Sequence, residues 1–489
     1  MAKIKIMGIF CTTLVGLALT FYGVENIRGK TAWEDFKKKW EAKGEVFDYK
    51  QVVPKPVPPG ENFANTPMLK PLLEQKWNAD FTESKSVEKK QTQRANDLIA
   101  LKGKGWPKLA QWSTGRSTDL AAWQKYFREQ KDWPHPEKAG RAADDILFAL
   151  KKHEADLAEL TQAAKARPQC RFDIKYEATF AALLPHLSVL RNATRGYTLR
   201  ALAHLANDNP DAALADVEMS LFLAECIRDE PLLISQLVRI AILKIALQPV
   251  WEGLANQKWN AAQLAALEKR LAKIDLLKGY RLAILGERDL GNLMIDRMRN
   301  QPAAEWAKLF GDDGLLKLPA GWIDQNKVRI NEMHMEFTLP VVDAKARRIK
   351  PKIAAAFDRK FERPQRGPYN VLVNLLMPAI GRVAIKTGSA QSAVDHARLA
   401  CLLEAHQIGK GKYPAKLAEL KAPMPNDVYT GKPYLYRLEP KGGYLLYSVG
   451  WNEKDDGGKA ILNPKSIHAD EEQGDLVWRY SAVPGSEKK

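Results

Sequence analysis

Apolar residues recur at intervals of three and four along most of the chain, which is the spacing of one face of an α-helix. Leu214, Val217, Leu221 and Ala224 form one such stripe, and Leu264, Leu267, Leu271 and Ile274 form another after an Asn260 cap. The same pattern predicts helices over 118–130, 141–166, 178–206, 211–228, 232–248, 261–274 and 280–299. We therefore expect a mainly α fold built around an irregular helical bundle.

One pair of these helices is joined by NDNPDAALAD and resembles a tetratricopeptide-like hairpin. Asp208 or Asn209 would end the first helix, and Pro210 would open the second. No clear 34-residue repeat follows, so a solenoid is only a minor alternative to the irregular bundle.

The pattern changes near the C-terminus. Ser389–Gly409 predicts a helix, and the segments KPYLYRLEP, GYLLYSVG and DLVWRYS then alternate aromatic and β-branched residues with polar ones. This alternation predicts a small C-terminal α+β module with a three-stranded antiparallel sheet.

Two apolar runs are candidates for a membrane helix. Leu232–Leu247 carries Arg239 and Lys244 and is only 16 residues long, which is short of the ~20 residues needed to cross a bilayer. We therefore interpret it as a central buried helix. Ile6–Val24 holds no charged residue and follows Lys3 and Lys5, so it predicts a retained membrane anchor, with a cleaved signal peptide as the alternative.

The orientation of this anchor is predicted by two conflicting features. The short basic N-terminus favours export of the bulk of the chain, whereas Arg28, Lys30 and Lys37–Lys39 after the apolar run favour retention in the cytoplasm. We favour export, which places most of the chain on the periplasmic side of the inner membrane as a single-pass protein.

The segment TAWEDFKKKWEAKGE follows the anchor and predicts a short helix that starts at a Thr31–Glu34 capping box. Trp33, Phe36 and Trp40 share one face of it. That face suits either the membrane interface or a docking surface on the protein's own body.

Four regions follow from these patterns. We predict an anchor or signal-anchor at 1–24, a juxtamembrane helix and Pro-rich arm at 25–115, a helical domain at 116–388 and the α+β domain at 389–489. The arm contains QVVPKPVPPG, which should be extended and semi-rigid.

Composition narrows the partners. The 489 residues carry a formal net charge of +17, which attracts polyanions such as acidic envelope polymers or proteins. The basic run 345–366 predicts a solvated helix face, or else a polyanion-binding patch. It has little aromatic interleaving, which disfavours nucleic acid. Cys170, Cys226 and Cys401 suggest free core thiols, with one bridge as the alternative.

The loop YSVGWNEKDDGG, residues 447–458, is the clearest candidate for site chemistry. Asn452, Asp455 and Asp456 place three oxygen-bearing side chains within five residues, which could bind calcium. The alternatives are a turn in which Asp caps backbone N–H groups, and a catalytic carboxylate pair. We expect no catalytic or cofactor-binding residue in the chain, and a calcium ion is the only cofactor that the sequence suggests.

Several polar residues stand in apolar company in the helical region: His186, Asp216, Glu230, Arg239 and Glu287. Buried charges must be paired, so we interpret them as ion pairs that fix helix packing. The alternative is a carboxylate-dependent hydrolase, with Glu230, Glu287 and His186 converging in a cleft.

Residues 390–480 are similar to the globular domain of type II secretion major pseudopilins (the protein G family of that system). The resemblance is carried by Pro425, Asp427, Gly431, Pro433, Tyr434, Tyr436, Ser448, Gly450 and the Gly457–Gly458 pair. It implies a shared domain shape and a calcium site at Asn452, Asp455 and Asp456. The family's N-terminal prepilin motif is absent, and Asn452 replaces its first aspartate, so the resemblance does not imply a pilus subunit.

The whole chain also resembles a group of bacterial membrane-anchored proteins without an assigned activity. The resemblance is carried by WEAKGE, NFANTP, LPHL, RDEPLLISQLVRIAIL and GERDL. We therefore expect a membrane-anchored cell-envelope protein with a non-catalytic binding or scaffold role. Residues 6–24 would contact the membrane, and the partner would be a protein or an anionic envelope polymer.

Overall fold

The computed structural model describes residues 2–78, 84–99, 105–300, 319–378, 380–440, 442–463 and 469–480. Contacts divide the chain into two compact units. Unit 1 contains Met1–Val53, Ile284–Val341 and Lys352–Arg382, and unit 2 contains Pro54–Ala283, Val342–Pro351 and Val383–Lys489. Both units are built from separate stretches of the sequence, and the division into four consecutive regions stays a prediction.

The protein is mainly helical, as predicted. The α-helices of the described residues are α1 Ala2–Glu41, α2 Lys89–Asn96, α3 Leu120–Glu129, α4 Ala142–Leu150, α5 Glu154–Ala166, α6 Pro185–Ala206, α7 Pro210–Glu225, α8 Leu233–Ala255, α9 Ala261–Leu271, α10 Leu276–Asn300, α11 Ala320–Met333, α12 Pro351–Phe361, α13 Val371–Leu376 and α14 Val383–Lys410.

The helices predicted between 118 and 300 are present, with shifted boundaries. The segment 141–166 is divided by a short 3₁₀ turn at Lys151–His153, and the helix predicted from 178 begins at Pro185. Helix α8 continues to Ala255 with Pro249 inside it. Proline removes one backbone donor but does not end a helix whose other contacts hold it in place.

Two predicted helix starts are confirmed in detail. Asn260 accepts a hydrogen bond from the Gln263 backbone N–H, and the Gln263 side chain bonds back to Asn260, which completes a capping box. At α7, the Asn209 side chain accepts from the Ala212 N–H, and Pro210 occupies the first turn. Helices α6 and α7 thus form the predicted hairpin.

The predicted capping box at Thr31 and Glu34 is wrong. Helix α1 is continuous from Ala2 to Glu41. Backbone N–H groups in the middle of a helix already bond carbonyls one turn earlier, so a cap at Thr31 has no orphan donors to satisfy. The apolar run and the juxtamembrane helix are therefore one element.

The C-terminal α+β module contains the predicted three-stranded antiparallel sheet. Strands β5 (Leu435–Leu438), β6 (Tyr444–Ser448) and β9 (Leu476–Arg479) are ordered β5-β6-β9. Tyr447 pairs with Leu435 on one side and with Val477 on the other. Antiparallel two-stranded ribbons join β7 (Ala460–Leu462) to β8 (Ala469–Gly474), β1 (Gln75–Trp77) to β2 (Ser84–Ser86), and β3 (Val342–Asp343) to β4 (Arg348–Ile349).

The core of unit 2 surrounds α8, which packs against α6, α7 and α14. Trp251 of α8 is fully buried and donates its indole N–H to the Arg479 carbonyl at 2.9 Å. The interpretation of 232–247 as a buried helix is confirmed. The cysteines carry free thiols, with Cys226 and Cys401 buried. Burial raises the pKa of Cys226, whose thiol also interacts with that of Cys170.

Candidate functional site

The C-terminal half of α1 packs closely against α11 within unit 1. A Cβ atom added at Gly29 would overlap backbone atoms of Gly321, and one added at Gly321 would overlap the Glu25 carbonyl. Glycines at both positions therefore let the two helix backbones approach each other directly, as small residues do at tight helix crossings.

Polar bonds fix the same crossing. Asn26 accepts a hydrogen bond from the Gly321 backbone N–H at 2.9 Å. Glu25 accepts from the Trp322 indole N–H at 2.9 Å and from the Tyr369 hydroxyl at 2.8 Å. We call Glu25, Asn26, Gly321, Trp322 and Tyr369 the anchor joint. Its hydrogen bond to Glu25 raises the pKa of Tyr369.

The aromatic face of α1 packs on unit 1 itself. Trp33 and Phe36 stack with ring centroids 5.9 Å apart, and both contact Phe47. The Lys327 ammonium group of α11 lies 4.0 Å from the centre of the Trp33 ring. Phe36 is buried. Of the two interpretations of this face, docking on the protein's own body is the one that these contacts support.

The C-terminal loop at 447–458 is organised by Asp475, a residue that the sequence analysis did not single out. Asp475 is buried between β8 and β9 and accepts hydrogen bonds from the backbone N–H groups of Asp456, Gly458 and Lys459. Gly457 and Gly458 adopt positive φ angles of 72° and 77°, which the turn requires. Burial raises the pKa of Asp475, and the nearby charge of Asp456 adds to that shift.

The predicted calcium ligands lie in this turn and bond to other parts of it. Asp455 accepts hydrogen bonds from the Gly457 N–H at 2.9 Å and from the Tyr447 hydroxyl at 3.1 Å. The Asn452 amide donates to Asp456 at 3.0 Å. Asn452 also accepts from the Lys454 N–H, as in an Asx turn.

This geometry supports the interpretation of the loop as a turn whose polar side chains bond to other groups of the same turn. Calcium takes six to eight oxygen ligands, and the three predicted ligands, two carboxylates and one amide, already form hydrogen bonds within the turn. Among the described residues, no group of three or more His, Cys, Asp and Glu side chains could hold a metal ion. The calcium site stays a prediction.

The residues that carry the pseudopilin resemblance include a buried structural network. Asp427 accepts from the Ser448 hydroxyl at 2.9 Å and from the Tyr429 N–H at 2.8 Å. Ser448 in turn accepts from the Gly450 N–H at 3.1 Å. Burial raises the pKa of Asp427. These residues fix the loop before β5 to the end of β6, which is a packing role.

His186 and Glu230 form a buried pair in unit 2. The His186 Nε2 atom lies 2.9 Å from Glu230, and Ser235 donates to the other carboxylate oxygen. The Phe172 ring stacks on the imidazole with centroids 4.2 Å apart. His186 and Ser235 are fully buried, and Glu230 is 4% exposed. These side chains bond one another away from solvent, so the arrangement favours the structural ion-pair interpretation.

The other polar residues that the sequence placed in apolar company also have partners in the structure. Arg239 bonds Glu225 at 2.7 Å, and Asp216 bonds Arg200 at 2.9 Å. Glu287 belongs to unit 1 and has a partner of its own.

A cavity of about 330 Å³ lies among α4, α5, α6 and α7 and is lined in part by Arg200, His204 and Asp216. His186 and Glu230 are not among its lining residues. Burial lowers the pKa of His204. Asp216 is held by Arg200 in an ion pair on the cavity wall, and the exposed Glu154 carboxylate also lines the cavity.

The anchor joint is the site that sequence reasoning missed. Glu25 could have been found, because it is the first charged residue after the apolar run. Trp322 and Tyr369 lie 297 and 344 positions further along the chain, and no local pattern links them to α1.

No protein-family model, curated protein or solved structure matches this chain. Its function is therefore argued from the geometry of its own residues.

Proposed function

We propose that this protein is a membrane-anchored cell-envelope protein with a non-catalytic binding or scaffold role. Helix α1 holds it in the inner membrane as a single-pass anchor, and most of the chain lies on the periplasmic side. The observation that carries this proposal is that one unbroken helix has an exposed apolar N-terminal half and a C-terminal half that packs against the rest of unit 1.

The uncovered half is almost wholly apolar. Ile6, Ile9, Phe10, Leu17 and Leu19 are each more than 60% exposed, and the helix is apolar enough to span a membrane by length and composition. On a protein in water, a contiguous apolar surface of this kind marks a contact with a membrane or with another protein. Lipid is the occupant that a helical run of 19 residues without a charge fits best.

Polar groups inside this half are satisfied internally. The Thr13 hydroxyl donates to the Ile9 carbonyl and the Thr20 hydroxyl to the Gly16 carbonyl, both at 2.9 Å. A helix in hydrocarbon must bond its own polar groups in this way. Retention of the helix is supported by the anchor joint, which ties Glu25 and Asn26 to α11.

The non-catalytic role is supported by the contacts of the candidate acidic side chains, which form hydrogen bonds and ion pairs within the fold. The resemblance of residues 390–480 to pseudopilin globular domains also supports an interaction role. The net charge of +17 favours a protein or an anionic envelope polymer as partner over a cationic one.

The proposal is tested by fractionating cells that produce the full chain or a variant lacking residues 2–24. The full chain should remain in membranes after extraction at alkaline pH, with its N-terminal segment intact by mass spectrometry. The shortened chain should be soluble. Protease added to spheroplasts should digest the body of the full chain. A freely soluble full chain that keeps its N-terminal segment would overturn the anchor, and protection from protease would overturn the orientation.

A further inference from the structure

The anchor joint lies at the point where the apolar run of α1 ends. Val24 is the last residue of the run, and Glu25 follows it directly. The ring of Phe21, one turn earlier, meets Trp322 edge-on with centroids 6.1 Å apart. Trp322 meets Tyr369 in the same way at 6.2 Å. Both rings are therefore held at the depth where the helix would leave the hydrocarbon.

Trp and Tyr are the side chains that favour this depth, because each has an apolar body and a polar edge. Here the polar edges point to Glu25, since the Trp322 indole and the Tyr369 hydroxyl both donate to its carboxylate. Arg28 lies over the Tyr369 ring at 5.7 Å and pairs with Glu25 at 3.4 Å. The arrangement is that of an interfacial aromatic belt supplied by distant parts of the chain.

Helix α13 begins two residues after Tyr369 and exposes an apolar pair. Val371 is 39% exposed and Leu375 is 56% exposed, while Leu372 and Val373 are buried. Positions four apart lie on the same side of a helix. The Leu372 backbone N–H donates to Asn326 of α11 at 2.9 Å, so α13 is fixed to the same helix as Trp322.

The surrounding segment carries positive charge. Residues 352–382 of unit 1 contain six basic and two acidic residues. Lys352, Arg359, Arg363 and Arg366 are exposed. Each Lys or Arg near an anionic lipid surface contributes about 1 kcal/mol of attraction. The part of the basic run that belongs to unit 1, residues 352–366, is therefore followed closely along the chain by an exposed apolar pair.

We propose that Trp322, Tyr369, Val371 and Leu375 form a second membrane contact, the interfacial face, which rests in the headgroup region of an anionic phospholipid bilayer beside α1. This inference rests on the proposed function, because it needs α1 to be embedded in the same bilayer. Continuity with the anchor and the neighbouring cations select lipid as the occupant. The contact would hold unit 1 against the membrane surface rather than leave it on a free tether.

The test uses the full chain in vesicles of phosphatidylcholine and phosphatidylglycerol. Cys11→Ser and Cys170→Ser leave only the buried Cys226 and Cys401, and Leu375→Cys then carries an environment-sensitive fluorophore. The matched control carries the fluorophore at Lys38→Cys, an exposed position on α1 that lies about 20 Å further along the helix than Glu25. The chain without an added cysteine measures background labelling.

Lipids with a nitroxide near the headgroup should quench the fluorophore at position 375 and leave the one at position 38 unchanged. Arg363→Glu with Arg366→Glu should weaken the quenching at position 375 in vesicles containing phosphatidylglycerol. Unchanged quenching in that double variant would show that anionic lipid is not the occupant.

Two further outcomes separate this inference from the anchor. If the chain floats with the vesicles and position 375 is not quenched, the interfacial face is wrong and the anchor stands. If the chain does not float with the vesicles, the anchor itself is wrong. A spectral shift at position 375 that depends on protein concentration in detergent, without vesicles, would assign the face to a second copy of the chain and overturn the lipid contact.

Discussion

Helices α1 and α8 have nearly the same mean hydropathy over their most apolar stretches, 1.3 and 1.5, but opposite surroundings. Only 6% of the stretch in α1 is buried, against 61% of that in α8. Hydropathy alone therefore does not separate a membrane anchor from the central helix of a globular unit.

The hydrogen-bond partners of their polar side chains do distinguish the two helices. In α8, Arg239 pairs with Glu225, Gln248 accepts from the Trp112 N–H at 2.6 Å, and Ser235 bonds Glu230. Each contact reaches another part of unit 2. In the apolar run of α1, the Thr13 and Thr20 hydroxyls donate to carbonyls of their own helix, and Glu25 and Asn26, which bond residues of α11, come after that run. A helix whose polar side chains need outside partners belongs in a protein core, and one that satisfies itself can lie in lipid.

The largest expected effect comes from making α8 still more apolar. Arg239→Met raises the hydropathy of the helix but leaves the Glu225 carboxylate, with 14% of its side chain exposed, without its closest cation. Removing one charged partner of a buried ion pair costs about 3–5 kcal/mol. We expect the free energy of unfolding, measured by denaturant titration of the full chain in detergent, to fall by about that amount.

The matched control removes both charges. Arg239→Met with Glu225→Gln should recover most of the loss, because no uncompensated charge remains. Unchanged stability in the single variant would mean that the pair does not hold α8 in unit 2, and the contrast with α1 would lose its basis.

The next effect concerns the C-terminal half of α1, which packs against α11. Gly321→Ala places a methyl group against the Glu25 carbonyl, and overpacking of this kind costs about 1–3 kcal/mol. We expect a lower midpoint of thermal unfolding and faster proteolysis of unit 1. Gly291→Ala is the control, because a Cβ there meets nothing within 4 Å. Equal behaviour of the two variants would show that α1 and α11 are not in close contact.

A pH effect tests the buried polar groups of unit 2. Burial raises the pKa of Glu404, on α14, from 4.5 to about 7, although Tyr413 donates a hydrogen bond to the carboxylate. The folded state therefore keeps its proton at pH values where the unfolded state has lost it. The contribution of Glu404 to stability should be greatest below about pH 4.5 and fall as pH rises to about 7, by at most about 1.4 kcal/mol per pH unit.

Glu404→Gln removes the titrating group and should flatten this part of the stability profile. The measurement is denaturant unfolding of both proteins at intervals across that window. A slope that persists in the variant would assign the pH dependence to another group.

The smallest effect is expected in the C-terminal loop. Asp455→Ala with Asp456→Ala removes side-chain hydrogen bonds of the turn but leaves those that Asp475 accepts from its backbone, so the total loss should be about 0.5–1.5 kcal/mol. We expect a modestly lower unfolding midpoint that calcium and chelator leave unchanged in both proteins. A calcium-dependent rise in the original chain that disappears in the double variant would establish the cation site and contradict the turn.

The fold was predictable where the information is local. The helical period, the Asn260 cap and the alternating C-terminal strands each depend on residues within one element, and all three are confirmed. The Thr31 cap failed because a capping motif has the same sequence inside a longer helix as at a helix start. Only the preceding backbone decides between them.

The anchor joint was not predictable, because it depends on contacts between remote segments. Glu25 meets Trp322 and Tyr369 only after α11 and α13 have packed on α1. Asp475 was missed for the same reason, since it organises a loop about twenty residues earlier in the chain. His186 and Glu230 were singled out correctly as polar residues in apolar company, but their pairing needed the structure.

The most direct test of the account uses an apolar photoreactive probe dissolved in native membranes that contain the full chain. After irradiation and digestion, mass spectrometry locates the modified peptides. We expect modification within residues 6–24 of α1 and none within Leu233–Ala255 of α8. Modification of α8 to the same extent, or its absence from α1, would contradict the distinction between an anchor helix and a core helix.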